Sequence, residues 1–359
     1  MKQFPKISII TPSYNQASYL EQTIQSVLDQ GYPELEYMII DGGSTDGSVE
    51  IIHKYAHRLT YWVSEPDSGQ SEAINKGFRR ATGDIVAWIN SDDFYLSGTF
   101  FRVAEELADP SIDGVYSDCP IVDSSGIQIG CFKGDHFSLG TLLEKNILPQ
   151  PTVFLKRKIL EQVGLLDTGL DYVMDLEWWM RMAILGKKLR YLPGCNLACF
   201  RISSLNKTTL FQERFFDEIL NVYSKLFSSA CCFPHRKKAY AFLHMNRFLF
   251  YLREGYPQQQ KQSLLEFLEY ASKKEEISLA YHLACEEEVV FSKACTLLIH
   301  NRKLLNLLTY YRYMRQGYEA YLKGEQQQFL FLALRGFLCD PLRFLGDRGN
   351  IKRLLRRNV

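Results

Sequence analysis

A chain of 359 residues, 46% hydrophobic and 23% charged with a formal net charge of +1, has the make-up of a globular protein large enough for two domains. That near-zero balance excludes the global basic field of a nucleic-acid binder. No apolar leader follows Met1, and the apolar stretch Phe242 to Leu252 is broken by His244, Asn246 and Arg247, which argues against export and against a bilayer span. The 9 cysteines form no paired C-x-x-C set, and their odd count argues for free thiols in a reducing, cytoplasmic compartment.

Lys6 to Thr11 is a short β-branched run broken by Pro12, and Leu20, Ile24, Val27 and Leu28 then recur at helical spacing between Gln16 and Gln30. The same grammar returns with the strand Leu35 to Asp41, the loop Gly42 to Gly47 and a helix marked by Val49, Ile51, Ile52 and Tyr55. A third unit is Tyr61-Trp62-Val63, the loop Glu65 to Gln70 and a helix from Ser71 to Arg80. The fourth strand starts at Ile85, continues through Ile89-Asn90-Ser91 and ends at the adjacent carboxylates Asp92 and Asp93. Successive β-loop-α units predict a doubly wound, mostly parallel sheet with every polar loop on one edge, where open α/β sheets bind ligands. Paired carboxylates there read either as ligands for a phosphate-bound Mg²⁺ or Mn²⁺ or as helix caps.

After Asp93 the rhythm changes. A helix is expected over Thr99 to Leu107, then strands Val115 to Cys119 and Ile127 to Phe132 about the turn Asp123 to Gly126, a helix from Ser138 to Asn146 and a strand from Thr152 to Leu155. Helices Lys156 to Val163 and Asp175 to Leu185 follow, and short strands at Leu189 to Leu192 and Leu197 to Arg201 end the sheet pattern. From Phe211 onward Leu, Phe and Tyr recur at helical intervals, which predicts an all-helical C-terminal domain. The boundary is placed so that residues 1–208 form the first domain and 209–359 the second.

Four ordered motifs, Thr11-Pro12-Ser13-Tyr14-Asn15, Ile40-Asp41-Gly42-Gly43-Ser44-Thr45-Asp46-Gly47, Glu65-Pro66-Asp67-Ser68-Gly69-Gln70 through Asn75-Lys76-Gly77, and Asn90-Ser91-Asp92-Asp93, together resemble the inverting family 2 glycosyltransferases of GT-A fold. The resemblance covers about residues 5–205 and implies a nucleotide-sugar donor, a glycan or lipid-linked acceptor and a divalent cation, Mn²⁺ or Mg²⁺. It places Thr11, Pro12, Ser13, Tyr14 and Asn15 at the nucleobase, Asp41 and Asp67 at the nucleoside, and Lys76 near the donor. Asp93 becomes the metal ligand, and Asp92 a ribose contact or a ligand to a metal-bound water. Asp175, followed six residues later by Arg181, matches the acceptor-side motif and takes the role of catalytic base. Glu177 would point about 200° away around a helix. Gln150 is implied on the acceptor side, and Trp178 and Trp179 have faces that could stack on a sugar there, with at least one of the two expected in the core.

Two departures from the family stand out. Gly42 stands where many members have a second Asp, and Ser203 where a His contacting metal or diphosphate often stands two residues after the Arg, here Arg201, itself implied as a donor contact. Arg201 and Lys207 can supply positive charge in its place, and weaker metal dependence is expected. The last residues, 341–359, carry Arg343, Arg348, Lys352, Arg353, Arg356 and Arg357 against Asp347 alone, a pattern for peripheral contact with an anionic inner membrane face or for a solvated helix. The leading function is sugar transfer in cell-surface polysaccharide synthesis. A non-catalytic nucleotide-sugar-binding module with a partner-recruiting helical domain is the alternative. A nucleotidyltransferase would need a Gly-rich basic loop after the first strand, which Pro12-Ser13-Tyr14-Asn15 is not.

Overall fold

The computed structural model describes residues 4–203, 212–228, 236–284, 286, 288–298, 301–323, 325, 327, 328, 332 and 335. The chain divides into two compact units, Met1–Ser229 and Ala230–Val359. The expected boundary at 208/209 falls within 204–211, outside the described residues, as do Lys207 and the basic stretch 341–359.

The first half of the sheet follows the sequence pattern closely: β1 (Ile7–Ser13), α1 (Ala17–Leu28), β2 (Leu35–Asp41), α2 (Ser48–Tyr55), β3 (Tyr61–Ser64), α3 (Gln70–Arg80) and β4 (Ile85–Trp88). β1 lies parallel between β2 and β4, and β3 is parallel to β2. The register sets Ser13 opposite Asp41 and Asp41 opposite Ser64, so three strands end flush at one edge. β4 stops earlier than expected. Ile89 N–H still reaches Ile10 O, but Asp93 N–H turns back to Asn90 O, so the two carboxylates sit on a turn beyond the strand.

Period-two alternation in β4 builds both layers. Ile85 and Ala87 join the core formed with Ile24, Val27, Phe100 and Phe154. Trp88, on the opposite face, packs against Phe78 of α3 and against Trp178 and Trp179. Gly77 is required there, because a Cβ would come within 2.5 Å of Ile10 in β1.

The second half comprises β5 (Phe94–Tyr95), α4 (Thr99–Leu107), β6 (Gly114–Val122), β7 (Gln128–Phe132), α5 (Leu139–Leu142), β8 (Phe154–Lys156), α6 (Lys158–Val163), α7 (Met174–Ile184), β9 (Leu189–Asn196) and β10 (Ala198–Arg201). The strand order is β3-β2-β1-β4-β8-β6-β10-β5, with β7 and β9 also on β6. β8 enters antiparallel to both β4 and β6, which makes the sheet mixed. The helix expected over Ser138 to Asn146 shrinks to one turn capped by the Ser138 hydroxyl. Leu142 and Leu143, and Ile147 and Leu148 just beyond the expected end, are adjacent pairs, all buried, and one helix continued through them could not bury all four on a single face.

α8 (Gln212–Ser228) closes the first unit. Beyond it α9 (Arg236–Glu254), α10 (Pro257–Tyr270), α11 (Lys273–Ala284), α12 (Glu288–Leu297) and α13 (Arg302–Leu322) share a core that includes Phe248, Leu252, Phe267, Leu283 and Leu308. The expected helical character is met there. Among the described residues no helix is long and apolar enough to cross a membrane.

Candidate active site

The edge loops are tied to one another before any ligand is considered. Asn15, at φ 52°, donates its N–H to Ser44 Oγ (2.8 Å) and accepts Thr45 N–H on Oδ1 (2.9 Å), which joins the first loop to the second. Asp46 caps α1 through Ala17 N–H and holds Ser48. The buried Asp41 carboxylate accepts from Gly43 N–H, Ser44 N–H, Ser44 Oγ and Ser64 Oγ at 2.6–3.1 Å. Its oxygens are therefore already employed in shaping the loop. Thr11 is buried with its hydroxyl on Tyr37, Pro12 lies within β1, and Tyr14 is 63% exposed at the edge. Ser13 Oγ is buried and has no partner among the described residues, a polar atom left over at the strand end.

Gly42 gains a physical reason from Asp67. A Cβ at position 42 would lie 3.1 Å from Asp67 Oδ2 and 3.2 Å from Oδ1, so the missing side chain leaves space for that carboxylate. Burial pushes the Asp67 carboxyl up from its ordinary range, while Gly69 N–H donates to Oδ1. Lys76 is held by Glu65 at 3.0 Å and Glu72 at 3.7 Å. Its ammonium is shared among acids.

Asp93 is fully buried and Asp92 half-buried. Burial first and the neighbouring Asp92 charge second push the Asp93 carboxyl well above its usual range. Its Oδ1 accepts the Arg201 N–H at 2.9 Å, and Oδ2 receives only a long contact, 3.4 Å, from Asn90 Nδ2. A desolvated acid beside a second acid suits an oxygen-preferring divalent cation. Among the described residues no group of three or more His, Cys, Asp and Glu could close a cage, so Asp93 and Asp92 would hold the ion together with phosphate and water oxygens. Ser203 is buried.

The Arg201 side chain is placed differently from the donor contact expected of it. The guanidinium donates to Asp92 O, Asp123 O, Ser124 O and Gln22 Oε1, and lies over the Tyr19 and Phe94 rings at 4.7 and 5.5 Å. It braces the acidic turn, α1 and the β6–β7 hairpin together. Two side-chain amides missed from sequence join the loops as well. Gln70 Nε2 donates to Asn90 Oδ1 (2.7 Å), and Asn90 Nδ2 reaches Gln150 Oε1 (3.2 Å), whose own Nε2 bonds Trp88 O. Gln70 borders the donor loop and Asn90 the acidic turn, which was the available signal.

Asp175 lies in the first turn of α7, two residues after its N-cap, Val173. Asp175 is therefore not the N-cap of this helix. Burial without a cationic partner pushes its carboxyl up to about 6, and its Oδ1 accepts Leu176 N–H. Glu177 instead makes a bidentate pair with Arg181, which also donates to Val163 O and Leu165 O. Trp178, expected to face acceptor, is 0% exposed with Nε1 on Gly164 O. Both it and Trp179 are core, so neither presents a face to a sugar.

Residues 8–142 match the family model "Glycosyl transferase family 2". The protein designated teichuronic acid biosynthesis glycosyltransferase TuaG from Bacillus subtilis is 30% identical over 184 residues, 50% of this chain and 72% of TuaG. An uncharacterized glycosyltransferase from Nostoc is 34% identical over 45% of this chain and 54% of its own length, so part of these relatives lies beyond the match. S. aureus TarS 1-349 in complex with UDP-GlcNAc superposes with TM-score 0.59 at 17% identity, covering 89% of this chain and 92% of that one. The mannosyltransferase PcManGT from Pyrobaculum calidifontis, in complex with GDP-Man and Mn²⁺, gives TM-score 0.53 at 17% identity over 97% and 89% of the two chains. These likenesses support the sheet arrangement and the helical region after it, and on the sequence match the chain belongs to glycosyl transferase family 2, with a GT-A fold.

Proposed function

We propose that the protein moves one sugar, with inversion, from a nucleotide-sugar donor to a hydroxyl of a glycan or lipid-linked acceptor in cell-surface polysaccharide synthesis. The observation that carries the reading is Asp175, a half-buried carboxyl pushed up to about 6 at the start of a helix. Such a group is ionised at neutral pH and basic enough to take the acceptor proton as the hydroxyl oxygen attacks the anomeric carbon. Tyr14 offers an exposed ring to the nucleobase, Ser13 an unused hydroxyl, and Asp67 a desolvated carboxylate to the nucleoside. Asp93 and Asp92 would hold Mn²⁺ or Mg²⁺, which when bound neutralises charge developing on the departing diphosphate. Complexes of TarS with UDP-GlcNAc and of PcManGT with GDP-Man and Mn²⁺ support the donor class and the ion, and the TuaG designation supports the pathway. We assign the reaction to the cytoplasmic face of the membrane, with residues 341–359 as a basic contact.

The test is a thermal-shift screen of UDP- and GDP-sugars with Mn²⁺ or Mg²⁺, followed by turnover of wild type and Asp175→Asn. Stabilisation by a sugar nucleotide and loss of turnover in the variant are expected. Normal turnover by Asp175→Asn would remove the base assignment. Residual turnover under chelator is expected because Ser203 replaces the usual His, and complete loss would show strict metal dependence.

A further inference from the structure

The segment that carries Asp175 into the site is held by a helix that none of the sequence motifs includes. Glu218 of α8 accepts three consecutive backbone N–H groups, from Asp171 by Oε1 (2.9 Å) and from Tyr172 and Val173 by Oε2 (2.8 and 3.0 Å). These amides immediately precede α7, where intrahelical acceptors do not exist. One carboxylate therefore supplies charge-assisted bonds to the whole approach of the helix. The rest of that α8 face reinforces the hold: Phe215 packs on the Tyr172 ring at 5.2 Å, and Arg214 donates to the Tyr172 hydroxyl at 3.1 Å. Arg214, Phe215 and Glu218 fall on one side of the helix at three- and four-residue spacing.

The opposite side of the segment is bound to the donor half. Ser71 Oγ donates to Leu170 O, and Asn75 exchanges two bonds with Leu166, at 2.9 and 3.1 Å. Gly69, at φ 128°, stands against Asp171, where a Cβ would lie 3.4 Å from Oδ1. Residues 166–173 are thus clamped between α3, which starts at the donor loop, and α8.

We propose that Glu218 is a positioning residue for the transfer reaction, setting where the acceptor-side segment and Asp175 stand relative to the donor. It touches no reacting atom in this role. The inference rests on the reading of Asp175 as base, and a displacement of about 1 Å at such a group can cost about a hundredfold in rate. The structural consequence is that α8 belongs functionally to the sheet unit.

The experiment uses the full chain with Glu218→Ala and Glu218→Gln, and Asp175→Asn beside them. Hydrogen exchange is read in peptides covering 166–176 and 41–47, affinity for UDP or GDP by calorimetry, and kcat and acceptor KM from release of UDP from UDP-GlcNAc or of GDP from GDP-Man. In Glu218→Ala, exchange at 171–173 is expected to rise about tenfold or more with 41–47 unchanged, since only local opening is altered. Turnover should fall about a hundredfold while nucleotide affinity stays within about twofold. Glu218→Gln, which keeps an acceptor oxygen but not the charge, should lie between, and serves if the Ala variant does not fold. Unaltered exchange, unaltered turnover, or equal loss of nucleotide affinity would each overturn the proposal. Failure of the base reading shows separately, as normal turnover in Asp175→Asn.

Discussion

Asp175 titrates at about 6 because it is desolvated with no cation beside it, and opposite consequences follow for activity and stability. With Asp175 as the proposed base, which must be unprotonated to act, kcat is expected to rise as pH passes upward through about 6, and Asp175→Asn to lower it by about 10²–10⁴-fold across a pH–rate profile. The native state favours the protonated carboxyl. Its stabilising contribution is complete below the unfolded value of about 3.9 and is lost as pH rises through about 6. At pH 8 the Asn variant is therefore expected to melt above wild type in calorimetry, the pattern of a site held against its own stability. Gly42 makes a second residue-scale case. Gly42→Asp would set a new carboxylate within about a van der Waals contact of Asp67, and nucleotide affinity by calorimetry is expected to drop about tenfold, in line with about 1.4 kcal/mol of like-charge cost. Gly42→Asn, of the same size but uncharged, should lose clearly less.

Among the elements, α7 shows how one helix carries both reactivity and packing. Its first turn holds Asp175, while Trp178 and Trp179 pack behind β4 against Trp88, and Arg181 latches its flank to Val163 and Leu165. Trp178→Ala is expected to cost about 3–5 kcal/mol in chemical denaturation, as large core deletions do. Trp178→Phe should leave acceptor KM unchanged within about twofold, because the ring contacts no acceptor in a core position. The indole reads as a sugar platform from sequence because an aromatic two or three residues from a carboxylate has the same signature in both roles. Arg201 misled similarly. Its guanidinium satisfies four oxygens from three separate elements, and a linear pattern contains no trace of which oxygens those will be.

At the scale of the whole molecule, every loop assigned to donor binding lies within the unit Met1–Ser229. A fragment of residues 1–229 is expected to keep its nucleotide-induced thermal shift. One ending at 208 should lose stability by about 1 kcal/mol or more, since removing α8 strips Glu218 from the N–H groups of Asp171, Tyr172 and Val173. Deletion after Pro341 should abolish binding to anionic vesicles in flotation assays while leaving turnover on soluble substrate intact, if residues 341–359 make the membrane contact. Unchanged binding would remove that role.

The α/β units, their polar loops and the acids at the sheet edge were legible in the sequence, for a local reason. A strand buried on both faces must be continuously apolar, its loop must be polar, and a group at its end can lie nowhere but the edge. The one-turn α5, the antiparallel β8, the burial of both tryptophans rather than one and the brace at Arg201 were not legible, because each depends on partners far along the chain. By itself the sequence determined the family, the order of elements and the set of carboxylates available for chemistry. Only the tertiary structure decided which of those carboxylates are desolvated and which are consumed by their own loops, since burial and hydrogen-bond geometry arise when distant segments meet. It also brought Glu218 onto the amides before Asp175, a contact spanning more than forty residues that no local pattern encodes.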